Sequence, residues 1–118
     1  MKTFLVLEDE PFIAMDLKFA FEDAGHEAVT ASDNEEALRC IEQRSIAGAV
    51  LDVSLGRGVT CAETASALLN RKIPFVLHTG DLNRVGEYLR EIDAPVIAKP
   101  RPAEDVVTRV VTMVASNA

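Results

Sequence analysis

Five polar residues suited to phosphate chemistry each follow or end a short apolar run of the sequence. They are Glu8, Asp9, Asp52, Thr79 and Lys99. Strand interiors disfavour aspartate, and a carboxylate that is buried without a partner is costly, so Asp52 at the end of its apolar run requires a nearby cation. We expect Lys99 to be the cationic partner.

The three carboxylates also indicate a metal. Carboxylates that are brought together raise each other's pKa unless a cation neutralises them. Magnesium prefers hard oxygen ligands and is commonly held by one or two carboxylates together with phosphate oxygens. With Mg²⁺ beside it, Asp52 can attack phosphorus, while Lys99 neutralises the transferring oxygens and Thr79 donates a hydrogen bond to one of them. The sequence therefore predicts a phosphoryl acceptor at Asp52, whose labile acyl phosphate suits a transient signal.

Strand-like and helix-like segments alternate along the chain. The predicted strands cover residues 3–7, 27–31, 47–53, 74–79 and 95–98. The predicted helices run from Pro11 to a stop at Gly25, from 32 or 33 to 44, from about 60 to 71, from about 82 to 92, and from about 102 onward. Several strands are apolar on both faces, which favours a parallel sheet covered by helices on both sides. In such sheets the binding crevice lies at the carboxyl ends of the strands, where all five polar residues stand.

Size and composition predict one globular domain over residues 1–118, with no output domain. The chain is 48% hydrophobic and 26% charged. It has no apolar stretch near the roughly 20 residues that a membrane span needs. Its formal net charge of −7 repels phosphate backbones and anionic lipids, so we expect neither nucleic-acid nor membrane binding. We expect a cytoplasmic protein.

The cysteines and histidines add no further predicted site. Cys40 and Cys61 lack metal-ligand spacing and fall on predicted helices, so we expect reduced thiols. His26 and His78 have no cysteine or carboxylate at ligand spacing, and we assign them no chemistry.

Four short motifs, in one order and spacing over the whole chain, resemble the receiver domain of bacterial response regulators. They are Glu8-Asp9, Leu51-Asp52, Thr79-Gly80 and Lys99-Pro100. The resemblance implies a flavodoxin-like, doubly wound α/β fold, with five parallel strands in the order 2-1-3-4-5 and five helices. It also implies a cis Lys99–Pro100 bond, and Mg²⁺ held by Glu8, Asp9, Asp52 and the backbone carbonyl of Ser54. The implied phosphodonor to Asp52 is a histidine kinase or a histidine phosphotransfer protein.

The segment over residues 73–81 is similar to a receiver subgroup that carries a Pro-Phe-x-Phe-Ala-Thr-Gly-Tyr run. Leu77, His78 and Asp81 stand where that subgroup has Phe, Ala and Tyr. Any role of the subgroup's tyrosine therefore cannot be carried over to this chain.

A second departure from the family concerns the signal's route to the surface. Many receivers have an aromatic residue three positions before the lysine, and here that residue is Val96. We therefore expect the signal to pass through Thr79 and Gly80 into the predicted fourth helix, over 82–92, and a downstream protein partner to bind there. The residues expected on that face are Arg84, Glu87, Tyr88 and Arg90.

The sequence favours a stand-alone receiver that switches partner binding or drains phosphate from a shared kinase, and not an enzyme acting on a separate substrate. A magnesium phosphatase with an aspartate nucleophile would want a general acid two residues on, where Ser54 stands. A pseudo-receiver would not need the complete set of acids, threonine and lysine. A flavin-binding domain of the same fold would need a phosphate-binding loop after the first strand, where the acids would repel the anion.

Overall fold

The computed structural model describes residues 1–80, 89 and 91–116, which contain five strands and four helices. In chain order these are β1 (Thr3–Leu7), α1 (Pro11–Asp23), β2 (Glu27–Ala31), α2 (Asn34–Gln43), β3 (Ile46–Asp52), α3 (Ala62–Asn70), β4 (Phe75–Thr79), β5 (Val96–Ala98) and α4 (Ala103–Ser116). The predicted helix over 82–92 lies almost wholly outside the described residues, and so do all four residues of its expected partner face.

The five strands form one parallel sheet in the order β2-β1-β3-β4-β5, which confirms the predicted topology. The registers align the strand ends: Leu7 lies beside Leu51, Asp52 beside His78, and Thr79 beside Ala98. Residues that follow β1, β3, β4 and β5 are therefore placed at one edge of the sheet.

Side chains alternate between the two faces of the sheet and build two cores. Leu5 and Leu7 point to the face that packs against α2 and α3, whereas Phe4 and Val6 point to the face that packs against α1 and α4. Gly48 in β3 lies beneath α4, and a Cβ there would stand 2.8 Å from Cγ2 of Val114. Helix packing on that face therefore accounts for a glycine in the middle of a strand.

The ends of the elements follow from local chemistry. Pro11 opens α1, and Gly25, with φ of 88°, follows its end. Asp33 is the N-cap of α2, because its carboxylate accepts a hydrogen bond from the amide of Glu36 at 2.8 Å. Helix α3 begins at Ala62, later than the predicted start near Thr60, because Thr60 pairs with Ser54 in an antiparallel bridge. None of the helices within residues 1–80, 89 and 91–116 has the length and apolar character needed to cross a bilayer.

Candidate functional site

Three carboxylates meet at the carboxyl edge of the sheet. Glu8 follows β1 and is buried, Asp52 ends β3 and is buried, and Asp9 is exposed. One oxygen of each lies within 4.8 Å of the others. One small cation could therefore contact all three carboxylates.

Lys99 places a positive charge beside two of these carboxylates. Its Nζ lies 2.8 Å from Oε1 of Glu8 and 3.4 Å from Oδ1 of Asp52. The lysine follows β5 and precedes a cis peptide bond to Pro100, as the resemblance implies. Burial lowers the pKa of Lys99, but its hydrogen bond with Glu8 and the charges of Glu8 and Asp52 outweigh burial and raise that pKa. The lysine therefore stays charged.

The acids are crowded enough to perturb one another. Burial, followed by the neighbouring Glu8 and Asp9, raises the pKa of Asp52 to about 8. Burial also raises the pKa of Glu8, but hydrogen bonds with Asp52 and Lys99 outweigh it, so that pKa is lowered. Without a metal, the ionised form of Asp52 is therefore disfavoured beside Glu8 and Asp9. A divalent cation would relieve this repulsion, which is the electrostatic reason that the cluster fits one.

A backbone hydrogen bond connects Thr79 to Lys99. Thr79 is buried at the end of β4, and its carbonyl accepts a hydrogen bond of 2.7 Å from the amide of Lys99. Adjacent strands thus bring the predicted hydroxyl donor and the predicted cation to the same edge.

Ser54 lies in the β3–α3 loop (residues 53–61), opposite Thr60 in the antiparallel bridge. The residues next to Ser54 and Thr60 form the two hydrogen bonds of this bridge. The Cys61 amide donates to the carbonyl of Val53, and the Leu55 amide donates to the carbonyl of Val59. The bridge therefore leaves the carbonyl of Ser54 outside its hydrogen bonds. With three carboxylates and a carbonyl, the donors predicted for the metal are all hard oxygens, which suit Mg²⁺.

His78 is a feature that sequence reasoning left without chemistry. It lies on β4 beside Asp52 with 4% of its surface exposed, and among the described residues neither ring nitrogen has a hydrogen-bond partner. Burial, and then the charge of Lys99, lowers the pKa of His78 to about 4. A histidine within an otherwise mostly apolar strand is the signal in the sequence. Burying an imidazole without hydrogen-bond partners lowers the free energy of unfolding.

We expect His78→Leu to stabilise the metal-free protein by about 1 to 3 kcal/mol at pH 7, because leucine leaves no polar atom unpaired. The gain should grow as pH falls from about 6.5 to 4. In that window unfolded His78 binds a proton and folded His78 does not, so the wild type loses up to about 3 kcal/mol. Urea unfolding at pH 7 and pH 5 measures both effects.

His26 provides the control for this prediction, since its Nδ1 accepts a hydrogen bond from the Lys2 amide. Replacing His26 by leucine should not raise stability. A destabilised His78→Leu at both pH values would contradict the assignment, because it would mean that the imidazole has a partner worth more than its burial costs.

Helix α1 exposes an apolar stripe that sequence reasoning also missed. Phe12, Met15 and Phe19 have 77%, 50% and 51% of their surface exposed. Their spacing of three and four residues places them on one helix face. A cavity of about 360 Å³ extends from Met15 and Phe19 to Glu8 and Asp9. The stripe is therefore continuous with the acidic site.

No protein-family model matches the sequence. Among curated proteins, the phyllosphere-induced regulator PhyR of Methylorubrum extorquens is 32% identical over 99 residues, which cover 81% of this chain and 37% of PhyR. The chain thus spans little more than a third of the length of that relative.

Solved structures match over nearly the whole chain. SdrG from Sphingomonas melonis Fr1 is 35% identical, with a TM-score of 0.80 over 98% of this chain and 97% of SdrG. The response regulator protein TrrA from Thermotoga maritima, in complex with Mg²⁺-BeF, is 26% identical, with a TM-score of 0.79 over 97% of this chain and 99% of TrrA.

The fold is that of CheY-like α/β domains. The chain belongs to the response regulator receiver family. Membership of the Pro-Phe-x-Phe-Ala-Thr-Gly-Tyr subgroup stays a prediction.

Proposed function

We propose that the protein is a cytoplasmic phosphoryl-acceptor switch of a two-component phosphorelay, which receives its phosphoryl group on Asp52 from a phosphohistidine. The observation that carries this proposal is the meeting of Glu8, Asp9, Asp52 and Lys99 at one edge of the sheet. The donor is a histidine kinase or a histidine phosphotransfer protein. Phosphorylation then switches the binding of a downstream protein or drains phosphate from a shared kinase, with no separate substrate turned over.

In the proposed transfer, a carboxylate oxygen of Asp52 forms a bond to phosphorus as the phosphorus–nitrogen bond of the donor breaks. The donor imidazole leaves and takes up a proton. Lys99 pairs with the transferred oxygens, and the hydroxyl of Thr79 donates a hydrogen bond to one of them. Glu8, Asp9, Asp52 and the Ser54 carbonyl would hold Mg²⁺, which supplies positive charge beside the transferring group when bound. The complex of TrrA with Mg²⁺-BeF supports this assignment by analogy.

The function is tested by incubating the purified chain with acetyl phosphate and Mg²⁺ and measuring its intact mass. We expect one added phosphoryl group, which hydroxylamine removes because it cleaves acyl phosphates. Addition of a chelator before acetyl phosphate should prevent labelling. A mass that stays unchanged with Mg²⁺ present, or a label that resists hydroxylamine, would contradict the proposal.

Asp9→Ala should weaken Mg²⁺ binding by at least about tenfold, because the charge of the ligands sets the affinity for a hard cation. In metal-free buffer the variant should be at least as stable as the wild type, since one of three crowded acidic groups is gone. Isothermal titration with MgCl₂ and urea unfolding measure the two quantities.

Asp23→Ala is the matched control for this variant, because Asp23 is an exposed acid at the end of α1 that lies away from Asp9. It removes the same formal charge and should leave Mg²⁺ binding nearly unchanged. If Asp9→Ala instead loses stability without metal, Asp9 has a structural role at the start of α1.

A further inference from the structure

Two polar side chains, Asn34 and Thr64, connect helices α2 and α3 to the β3–α3 loop. The hydroxyl of Thr64 donates to Oδ1 of Asn34 at 2.6 Å, and Nδ2 of Asn34 donates to the carbonyl of Thr60 at 2.9 Å. Thr60 is the residue that faces Ser54 across the antiparallel bridge. A continuous set of contacts therefore runs from the two helices to the residue whose carbonyl is a predicted metal ligand.

Hydrogen bonds within the loop, from the Leu55 amide to Val59 and from the Val59 amide to Gly56, fix its shape, whereas the contact with Asn34 connects its base to α2. Gly56, Arg57 and Gly58 all have positive φ, at 87°, 56° and 76°, so its tip is a tight turn. This turn approaches the acids, because a Cβ on Gly56 would lie 3.7 Å from Oδ2 of Asp9. A tilt of the loop about its base would move both Gly56 and Ser54 relative to the carboxylates.

The hydrogen bond between Asn34 and Thr64 does more than hold α2 against α3. Thr64 is fully buried, and two apolar side chains of similar shape would pack α2 against α3 with no hydrogen bond to satisfy. The pair also fixes the orientation of the Asn34 side chain. Its amide has one orientation that satisfies both the Thr64 hydroxyl and the Thr60 carbonyl. That orientation holds the base of the loop at one position.

We propose that Asn34 and Thr64 are positioning residues for the magnesium site, acting through Thr60 on the carbonyl of Ser54 without contacting the metal. This inference rests on the proposed function, because it assumes that the acids and the loop bind Mg²⁺. Partners that orient metal ligands commonly change metal affinity about 10- to 100-fold when they are removed.

The test compares substitutions that separate the hydroxyl of Thr64 from its shape. Thr64→Val keeps the shape and removes the hydrogen bond, whereas Thr64→Ser keeps the hydroxyl and removes a methyl group. We expect Thr64→Val and Asn34→Ala to weaken Mg²⁺ binding about tenfold in isothermal titration, and Thr64→Ser to bind like the wild type. Ile41→Val, which shortens a core side chain in α2, is the control for a simple loss of stability.

The outcomes separate this inference from the function on which it rests. Equal Mg²⁺ affinity in the wild type, Thr64→Val and Asn34→Ala would overturn the positioning role and leave the acceptor site standing. Affinity that falls in step with stability across all variants, Ile41→Val included, would also overturn it. A wild type that binds no Mg²⁺ would overturn both proposals. If Asn34→Ala fails to fold, the Thr64→Val and Thr64→Ser pair decides the matter.

Discussion

Asp52→Asn should abolish phosphorylation by acetyl phosphate, while the variant folds and remains soluble. Asparagine has the shape of aspartate, but its neutral amide is not a nucleophile for phosphorus and forms no acyl phosphate. The expected loss is complete, because no other aspartate among the described residues pairs with Lys99. Intact mass after incubation with acetyl phosphate and Mg²⁺ measures the result.

Two aspartates serve as controls for this experiment. Asp16→Asn, at an exposed position of α1, should be labelled like the wild type. Asp9→Asn should be labelled slowly, because it loses a metal ligand and keeps the nucleophile. Labelling of Asp52→Asn at the wild-type level would show that phosphate is accepted at another residue.

The same substitution has a consequence for stability. The pKa of Asp52 is raised to about 8 in the folded chain, above the ordinary value of 3.8. A raised pKa contributes stability at low pH that is lost as the pH rises from about 4 to 8, because the unfolded carboxyl ionises first. We therefore expect the metal-free wild type to lose stability over this window relative to Asp52→Asn. Mg²⁺ should remove much of that difference, since it favours the ionised carboxylate.

The sheet and its edge were predictable because parallel α/β sheets obey strict rules. Apolar runs such as residues 74–79 predict the strands. The rule for carboxyl ends then places Glu8, Asp52 and Lys99 together from distant positions in the sequence. The start of α3 was placed too early because the bridge between Ser54 and Thr60 is a contact within a loop, which helical periodicity does not report.

Sequence patterns did not predict the burial of His78 or the exposed stripe on α1, because both depend on tertiary packing. A polar residue in an apolar strand signals that something is unusual, but only packing shows that His78 is buried without a partner among the described residues. Likewise, Phe12 and Phe19 lie on the same helix as the core residues Leu17 and Phe21. When a helix has apolar residues on two faces, its sequence does not show which face packs against the sheet. The expected change over residues 80–90 on phosphorylation stays a prediction.

The exposed stripe on α1 suggests where the protein phosphodonor docks. Under the proposed function, a donor brings its phosphohistidine to Asp52. The stripe of Phe12, Met15 and Phe19 adjoins the acidic edge through the cavity of about 360 Å³. The stripe spans about 10 Å along the helix, which matches the spacing of apolar residues on one face of a partner helix. We therefore expect a helical donor surface with apolar side chains at that spacing.

The double variant Phe12→Ser/Phe19→Ser should lower kcat/KM for transfer from a phosphorylated histidine phosphotransfer protein by at least about 30-fold, since buried aromatic anchors are worth about 2 kcal/mol or more in interfaces. Its rate with acetyl phosphate should stay within about twofold of the wild type, because a small donor needs no docking surface. The comparison requires a phosphotransfer protein that phosphorylates the wild type.

Leu69→Ser supplies the matched control, because Leu69 is an apolar residue of α3 with 45% of its surface exposed and lies away from the acidic edge. It should leave transfer from both donors unchanged, which separates docking from a general effect of removing surface apolar area. If the double variant slows both donors equally, α1 acts on the chemistry or the fold rather than on docking. If neither donor is slowed, the phosphotransfer protein binds another face, and the stripe on α1 has a different partner.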